Sequence, residues 1–181
     1  MVKLFCTKTN SIEFNVLLMH IKIINKKLYF GEYKVKCAIG KRGISKRKKE
    51  GDNTTPKGTF KIKKLFFRKD RIKILKTKLK KIAINKKMGW CDDYRSSSYN
   101  KLINFPFNYS AEKLYLKENI YDILITLDFN INPTLKKKGS AIFIHLSKKN
   151  YSSTKGCIAI SKKNMKLLLK YINKETKLVI T

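Results

Sequence analysis

Acidic residues are scarce in this chain of 181 residues: 12 Asp and Glu stand against 43 Lys and Arg, and the formal net charge is +31. The chain also has only two histidines, one tryptophan and three prolines. No cluster of His, Cys, Asp and Glu at metal-ligand spacing is visible, so neither a metal nor another cofactor is predicted. Each acid and each histidine that is present is therefore informative.

Cysteine is limited to four residues, and none of them forms a C-x-x-C pair. This spacing argues against a zinc site and against a thioredoxin-like redox site. Cys157 is the cysteine whose neighbouring residues suggest a reactive role, and a nucleophilic cysteine must remain unpaired. The other three are predicted to be reduced structural residues: Cys6, Cys37 and Cys91.

Long hydrophobic runs are missing as well. Residues 14–21 are apolar but short, are interrupted by Asn15 and His20, and lack a small-residue cleavage site. The stretch is also far shorter than a transmembrane helix, which needs about 20 residues. The residues thus predict no export signal and no transmembrane segment, which leaves a cytoplasmic location open. They give no indication of an oligomeric state.

The positive charge raises the question of a nucleic-acid partner. The basic residues are mostly lysine and are spread along the whole chain beside abundant Ile and Asn, as an A/T-rich coding sequence would favour. No basic helix, zinc-ligand spacing or aromatic ribonucleoprotein motif accompanies them. The pattern therefore favours compositional drift over a nucleic-acid surface, and a cationic surface would also attract cell-wall polymers rich in carboxylates.

The chain has the length of one domain, residues 1–181, with a core that needs no disulfide. Apolar runs predict strands, and Gly31 and Glu32 form the predicted turn of a hairpin. Ser161 is the predicted N-cap of a helix over Lys162–Tyr171, whose apolar residues recur at helical spacing. The expected fold is mainly β with one or two short helices. Its strands are predicted at residues 27–30, 33–39, 59–67, 120–127, 141–146, 158–160 and 178–180.

Three segments have a less regular pattern. Residues 40–51 form a cationic loop, interpreted as a solvated flap in preference to an electrostatic lip for an acidic substrate. Residues 68–87 fit either a helix or short strands around a loop. Residues 89–108 are predicted to be loop-like, with aromatic side chains that line a cleft or fill the core beneath the loop.

Cys157 lies in the segment STKGCIAI, residues 153–160, and His145 lies near the end of an apolar, strand-like segment twelve positions before it. A thiol behind a glycine, with an imidazole from a neighbouring strand, suits a cysteine nucleophile because the thiolate is the reactive form. We expect His145 to accept the Cys157 proton and give a thiolate–imidazolium pair. The ordinary alternatives are a small buried Cys157 and a strand-end His145 with a satisfied hydrogen bond.

Three motifs in order resemble the L,D-transpeptidase catalytic domain family, also called YkuD. Its motif of Ser/Thr-His-Gly-Cys, a hydrophobic residue, and Asn or Arg is similar to TKGCIA at residues 154–159. Its GDxxTPxGxF signature is similar to GDNTTPKGTF at residues 51–60, and the GWCDD element of one short bacterial branch resembles residues 89–93. The resemblance covers about residues 38–179. Lys155 replaces the family's histidine, and Ala159 replaces its Asn or Arg.

The resemblance implies a β-sandwich or barrel-like catalytic domain that cross-links or remodels peptidoglycan in the periplasm or cell envelope. Cys157 would attack a stem peptide and form a thioester, and His145 would be its base. Backbone N–H groups at Gly156 and Cys157 would hold the oxyanion. The residues expected to shape the site beside Gly156 are Ser153, Thr154 and Lys155.

Other activities remain compatible with the residues. One is L,D-carboxypeptidase trimming of the same stem, and another is a non-catalytic cationic domain that binds cell wall or nucleic acid. Lys155 is expected to lower the pKa of the Cys157 thiol through its charge. The group that orients His145 is left open between a backbone carbonyl and the hydroxyl of Ser153 or Thr154.

The GWCDD element offers candidate substrate contacts. Trp90, Asp92 and Asp93 are candidates for substrate binding, with the acids recognising the amine of diaminopimelate. The alternative is that the two acids cap a structural corner of the loop.

Overall fold

The computed structural model describes residues 20–181 of the chain. Most regular structure in this range is β-strand, with one α-helix and one 3-10 turn. The strands are β1 (His20–Ile24), β2 (Lys27–Phe30), β3 (Tyr33–Lys36), β4 (Ile44–Ser45), β5 (Thr55–Pro56), β6 (Gly58–Phe67), β7 (Lys81–Ala83), β8 (Met88–Cys91), β9 (Leu102–Asn104), β10 (Ala111–Lys113), β11 (Ile123–Leu127), β12 (Phe143–Leu146), β13 (Ile158–Ile160) and β14 (Lys177–Ile180). The 3-10 turn spans Asn119–Tyr121, and the helix, α1, spans Lys162–Tyr171.

Nine of the strands form one sheet that curls toward closure. Its order is β13-β12-β11-β6-β14-β1-β2-β3, with β7 beside β6. Just after β3, Ala38 exchanges two backbone hydrogen bonds of 2.8 and 2.9 Å with Ala159 of β13, so the two ends of the sheet meet. A sheet closed in this way leaves few unpaired edges. The predicted mainly β, barrel-like fold is confirmed.

Helix α1 closes the larger hydrophobic core, which lies on one face of this sheet. It buries Met165, Leu168 and Leu169 completely in that core. The Ser161 hydroxyl caps the helix by accepting a hydrogen bond of 3.2 Å from the Asn164 N–H. The predicted helix, cap and apolar face are confirmed, because short-range capping and spacing determine all three.

A second, smaller core covers the opposite face of the sheet. There Leu124 and Phe143 meet Trp90, which belongs to a three-stranded sheet of order β10-β8-β9. The Trp90 ring packs edge-on against Phe143 with centroids 5.2 Å apart, and its indole N–H donates to Asn100 Oδ1 at 2.9 Å. Since both faces of β11 are covered, all five of its residues are buried and its sequence is apolar almost without interruption.

Several segment predictions need correction. The strand predicted at residues 33–39 ends at Lys36, and the strand predicted at residues 141–146 begins at Phe143. Residues 89–108, predicted to be loop-like, contain most of β8 and all of β9, because β8 pairs with the more distant β10 as well as with β9. The strand predicted at residues 120–127 starts only at Ile123; before it, the chain makes the 3-10 turn, and the buried Asp122 pairs with Arg71. Residues 68–87, left open above, contain the short strand β7 and otherwise loop.

Some sequence predictions fall outside the described residues. Cys6 lies there, and so does most of the apolar stretch at residues 14–21. Over residues 20–181, no helix combines the length and the apolar character that a membrane crossing requires.

Candidate active site

A cleft of about 540 Å³ opens where β12, β13 and the cationic loop meet. Cys157 and His145 both line it, which brings together the two residues that the sequence singled out. Its wall also includes cations, acids and an aromatic ring from other parts of the chain: Lys48, Glu50, Asp92, Glu112, Tyr121, Lys148 and Lys155.

Strand register explains why the thiol and the imidazole share this cleft. The strands β12 and β13 run parallel, with His145 opposite Ala159. Side chains two residues apart on a strand point to the same face, so Cys157 lies on the same face as Ala159 and His145. The thiol and the imidazole therefore reach the cleft from one face of adjacent strands.

Cys157 is a half-buried residue, and its thiol is hydrogen-bonded to the backbone. It donates to the Ala141 carbonyl at 3.0 Å, and its sulfur accepts the Phe143 N–H at 3.4 Å. Burial raises the pKa of Cys157 to about 12, and the charge of Glu112 adds to the rise, whereas the Phe143 N–H and the Lys48 charge oppose it. The resting thiol is therefore protonated at neutral pH.

His145 is oriented by a backbone carbonyl, which resolves the question left open by the sequence. Its Nδ1 lies 2.9 Å from the Leu146 carbonyl oxygen. A carbonyl can only accept, so Nδ1 carries the proton and the lone pair is on Nε2. Burial lowers the pKa of His145 to about 4, although the Leu146 carbonyl partly opposes the shift. The resting pair is thus a neutral thiol and a neutral imidazole, which corrects the thiolate–imidazolium pair expected from the sequence.

The turn before Cys157 is organised by the hydroxyl of Thr154. That hydroxyl donates to the Cys157 carbonyl at 2.6 Å and accepts the Gly156 N–H at 3.1 Å. The Gly156 N–H is therefore occupied and does not point at an oxyanion, contrary to the sequence-based expectation. Within residues 20–181 no acceptor pairs with the Cys157 N–H, so this donor is unpaired.

Gly156 is required at its position for two reasons. Its φ of +145° is one that side chains rarely adopt, and a Cβ there would lie 2.8 Å from the Thr54 carbonyl oxygen. The close approach brings the turn against the segment GDNTTPKG. Thr55 completes the contact: its fully buried hydroxyl donates to the Gly156 carbonyl and accepts the Gly40 N–H, both at 2.8 Å.

Residues 18–180 match the family model of the L,D-transpeptidase catalytic domain, YkuD. The chain belongs to this family. No curated protein matches it. The family acts on peptidoglycan stem peptides and is generally associated with the cell envelope. The matched range starts earlier than the resemblance at residues 38–179 and includes β1 to β3.

The two acids of the GWCDD element, Asp92 and Asp93, lie in different environments. Asp93 is held by Arg95, whose guanidinium donates to it at 2.6 and 2.9 Å, and it does not line the cleft. These hydrogen bonds lower the pKa of Asp93 below its usual range. Asp92 does line the cleft, and its Oδ1 is buried without a hydrogen-bond partner. Trp90 is buried in the second core and is not part of the cleft wall.

The residues beside the Gly-Cys pair also differ in their roles. Ser153 and Lys155 are exposed on the cleft rim. Burial raises the pKa of both Glu112 and Cys157; the charge of Lys155 opposes the rise at Glu112, whereas the cation that opposes it at Cys157 is Lys48. The favourable charge effect on the thiol pKa that was expected of Lys155 therefore comes from Lys48, a residue predicted to lie in a solvated flap.

Glu112 and Tyr121 also line the cleft, and neither was predicted from the sequence. The Tyr121 hydroxyl donates to Glu112 Oε1 at 2.6 Å, and the ring packs edge-on against His145 with centroids 5.3 Å apart. No local signal marks either residue, because each reaches the cleft through tertiary packing. In the part of the chain that the structure describes, no group of three or more His, Cys, Asp and Glu side chains is arranged to hold a metal ion.

The substitution Thr55→Val is expected to destabilise the turn at Gly156 that precedes Cys157. The Gly156 carbonyl and the Gly40 N–H each lose a buried partner, at about 1–3 kcal/mol each. We expect the free energy of unfolding to fall by about 2–6 kcal/mol, which lowers Tm by roughly 4–24 °C for a domain of this size. Calorimetry measures the change. The exposed Thr59→Val is the matched control, and an equal Tm for the two variants would contradict the bracing role of Thr55.

Proposed function

We propose that this YkuD protein is a cysteine-dependent L,D-transpeptidase that takes a peptidoglycan stem peptide onto Cys157 as a thioester. The observation that carries the proposal is the shared cleft: the sulfur of Cys157 and the unprotonated Nε2 of His145 lie on one face of adjacent parallel strands. The family membership supports the stem peptide as substrate. Its general association with the cell envelope supports a site of action in the periplasm or envelope.

In the first step, His145 removes the thiol proton as the sulfur attacks the carbonyl carbon of the bond before the terminal D-Ala. Because the resting thiol is protonated, deprotonation accompanies attack instead of preceding it. A bond forms between Sγ and the carbon, and the carbonyl electrons move to oxygen. The imidazolium then gives its proton to the departing D-Ala amine as the C–N bond breaks, which leaves a thioester on Cys157.

The oxyanion of this step has one backbone donor close to the sulfur, the Cys157 N–H. A donor of this kind contributes about 2.7–4 kcal/mol to the transition state. The charge of Lys48, which opposes the rise in the thiol pKa, stabilises the oxyanion in the same sense, although the ion pair with Asp52 reduces its effect. An acceptor amine then attacks the thioester and restores the thiol; water as acceptor would give the carboxypeptidase product from the same intermediate.

Intact-mass spectrometry after incubation with a carbapenem-type β-lactam, or with a tetrapeptide stem, tests the proposal. We expect one covalent adduct per chain, because an acylated cysteine persists when its acyl group lacks an efficient acceptor. Peptide mapping should assign the adduct to Cys157 and not to the buried Cys37 or Cys91. No adduct and no product under any condition, together with retained binding to cell-wall sacculi, would refute catalysis and favour a wall-binding domain.

A further inference from the structure

Two carboxylates on the cleft wall have acceptor oxygens that the described chain does not use. Asp92 Oδ1 is inaccessible to solvent and has no hydrogen-bond partner. Glu112 receives the Tyr121 hydroxyl on Oε1, while its other oxygen receives no hydrogen bond from residues 20–181. A buried carboxylate oxygen is stable only with a donor beside it, so the cleft is incomplete at this point.

In the described part of the chain, Asp92 and Glu112 lack the salt bridges that most of the other aspartates make. Four of them are neutralised by a nearby cation, in the pairs Asp52–Lys48, Asp70–Arg68, Asp93–Arg95 and Asp122–Arg71. With 43 Lys and Arg available, a further internal pair would be easy to form. Asp92 and Glu112 make no salt bridge to residues 20–181, and both line the cleft that contains Cys157. A cationic donor that enters the cleft would satisfy both carboxylates.

Resting on the proposed function, we propose that Asp92 and Glu112 form the subsite that binds the acceptor amine as an ammonium ion and receives its proton. An alkylammonium has three N–H donors, which match the unused oxygens of two neighbouring carboxylates. The charge of Glu112 acts on the Cys157 thiol, so an amine held there is close to the thioester. The subsite thus favours an amine over water as the acceptor.

The bound ammonium gives one proton to Glu112, and the neutral amine attacks the thioester carbon with its lone pair. A C–N bond forms, the C–S bond breaks, and the second proton passes from the new amide nitrogen through His145 to the Cys157 sulfur. The products are the amide, the free thiol and a protonated Glu112, which releases its proton to solvent.

The surroundings of Glu112 suit a proton acceptor. Burial raises its pKa and the charge of Asp92 adds to the rise, while the Tyr121 hydroxyl and the charge of Lys155 act in the opposite direction, and the net shift is upward. A carboxylate with a raised pKa takes a proton more readily than an ordinary surface carboxylate. Lys155 is exposed and makes no salt bridge to Glu112, so its side chain leaves the carboxylate available to a substrate ammonium.

Acceptor kinetics of Asp92→Asn and Glu112→Gln test the subsite. The donor is a tetrapeptide stem, and the acceptor is a stem peptide with a free side-chain amine or the same peptide with that amine acetylated. We expect each substitution to raise KM for the free amine about tenfold, equivalent to about 1.4 kcal/mol, and to shift products toward hydrolysis. Acylation by the carbapenem is measured separately, because Glu112→Gln also removes a charge that raises the pKa of the Cys157 thiol; the ratio of aminolysis to hydrolysis of the thioester does not depend on the acylation rate and decides the question.

The exposed Glu118→Gln is the control for removing a negative charge elsewhere, and its acceptor KM should equal that of the parent. Thermal unfolding monitors folding, and Asp92→Asn alone decides the question if Glu112→Gln fails to fold. An unchanged ratio of aminolysis to hydrolysis would overturn the inference, as would lost acylation in both variants or a parent that only hydrolyses its thioester. A parent that takes no acyl group on Cys157 would refute the proposed function itself.

Discussion

Cys157→Ser is expected to lower turnover of a tetrapeptide stem by a factor on the order of 10⁴ or more, with little change in Tm. A serine hydroxyl is less acidic than a thiol, and a His145 with a pKa of about 4 is too weak a base to remove its proton. The fold should persist because a hydroxyl can replace the thiol as donor to the Ala141 carbonyl. Chromatographic product analysis and calorimetry measure the two effects.

The other described cysteines provide the matched control for this substitution. Cys37 and Cys91 are buried and do not line the cleft, so Cys37→Ala and Cys91→Ala should keep the carbapenem adduct and the turnover per folded molecule. Retention of more than about a hundredth of parental turnover by Cys157→Ser would argue against a sulfur nucleophile.

His145→Gln is expected to reduce kcat/KM by about 10²–10⁴-fold, the usual contribution of a positioned general base. Glutamine can preserve the hydrogen bond to the Leu146 carbonyl but has no lone pair that can take the thiol proton. The matched control is His20→Gln, since the only other histidine of the chain is exposed in β1 and does not line the cleft. Steady-state kinetics of both variants decide the role.

The pH profile of the parent provides a second test of His145. Because burial lowers the pKa of His145 to about 4, the imidazole is neutral and competent above that value and becomes protonated as the pH falls through it. The acid limb of kcat/KM should therefore lie near pH 4. A limb near the ordinary histidine value of about 6.5 would mean that the ring is solvated, contrary to the packing against Tyr121.

Elements coded by short-range pattern could be predicted from the sequence. The helix Lys162–Tyr171 with its Ser161 cap matches the structure at both ends, and the hairpin β2–β3 turns at Gly31 and Glu32 as expected. Strands β8 and β9 were missed, because MGWC and LIN show no alternation and their stability comes from pairing with each other and with β10.

The candidate site could be predicted only in part for the same reason. Cys157 and His145 are recognisable because the chemistry restricts their residue types and the Gly-Cys turn has a local signature. Glu112 and Lys48 have no such signature, and their charges reach the thiol only because β10 and the cationic loop fold onto the cleft. The Gly156 N–H was misassigned because its Thr154 acceptor depends on the turn's actual geometry.

The amino-acid sequence by itself determined the family, the β-rich class and the helix with its cap. It also singled out Cys157 and His145 as the candidate nucleophile and base. Propensity, capping and turn chemistry act over a few residues, so their effects can be predicted from the sequence. Tertiary structure alone decided the ionisation of the pair, the carbonyl that orients His145, and the two acids that face the cleft. Those properties depend on burial and on charges brought together from distant segments, and both exist only once the sheet has closed.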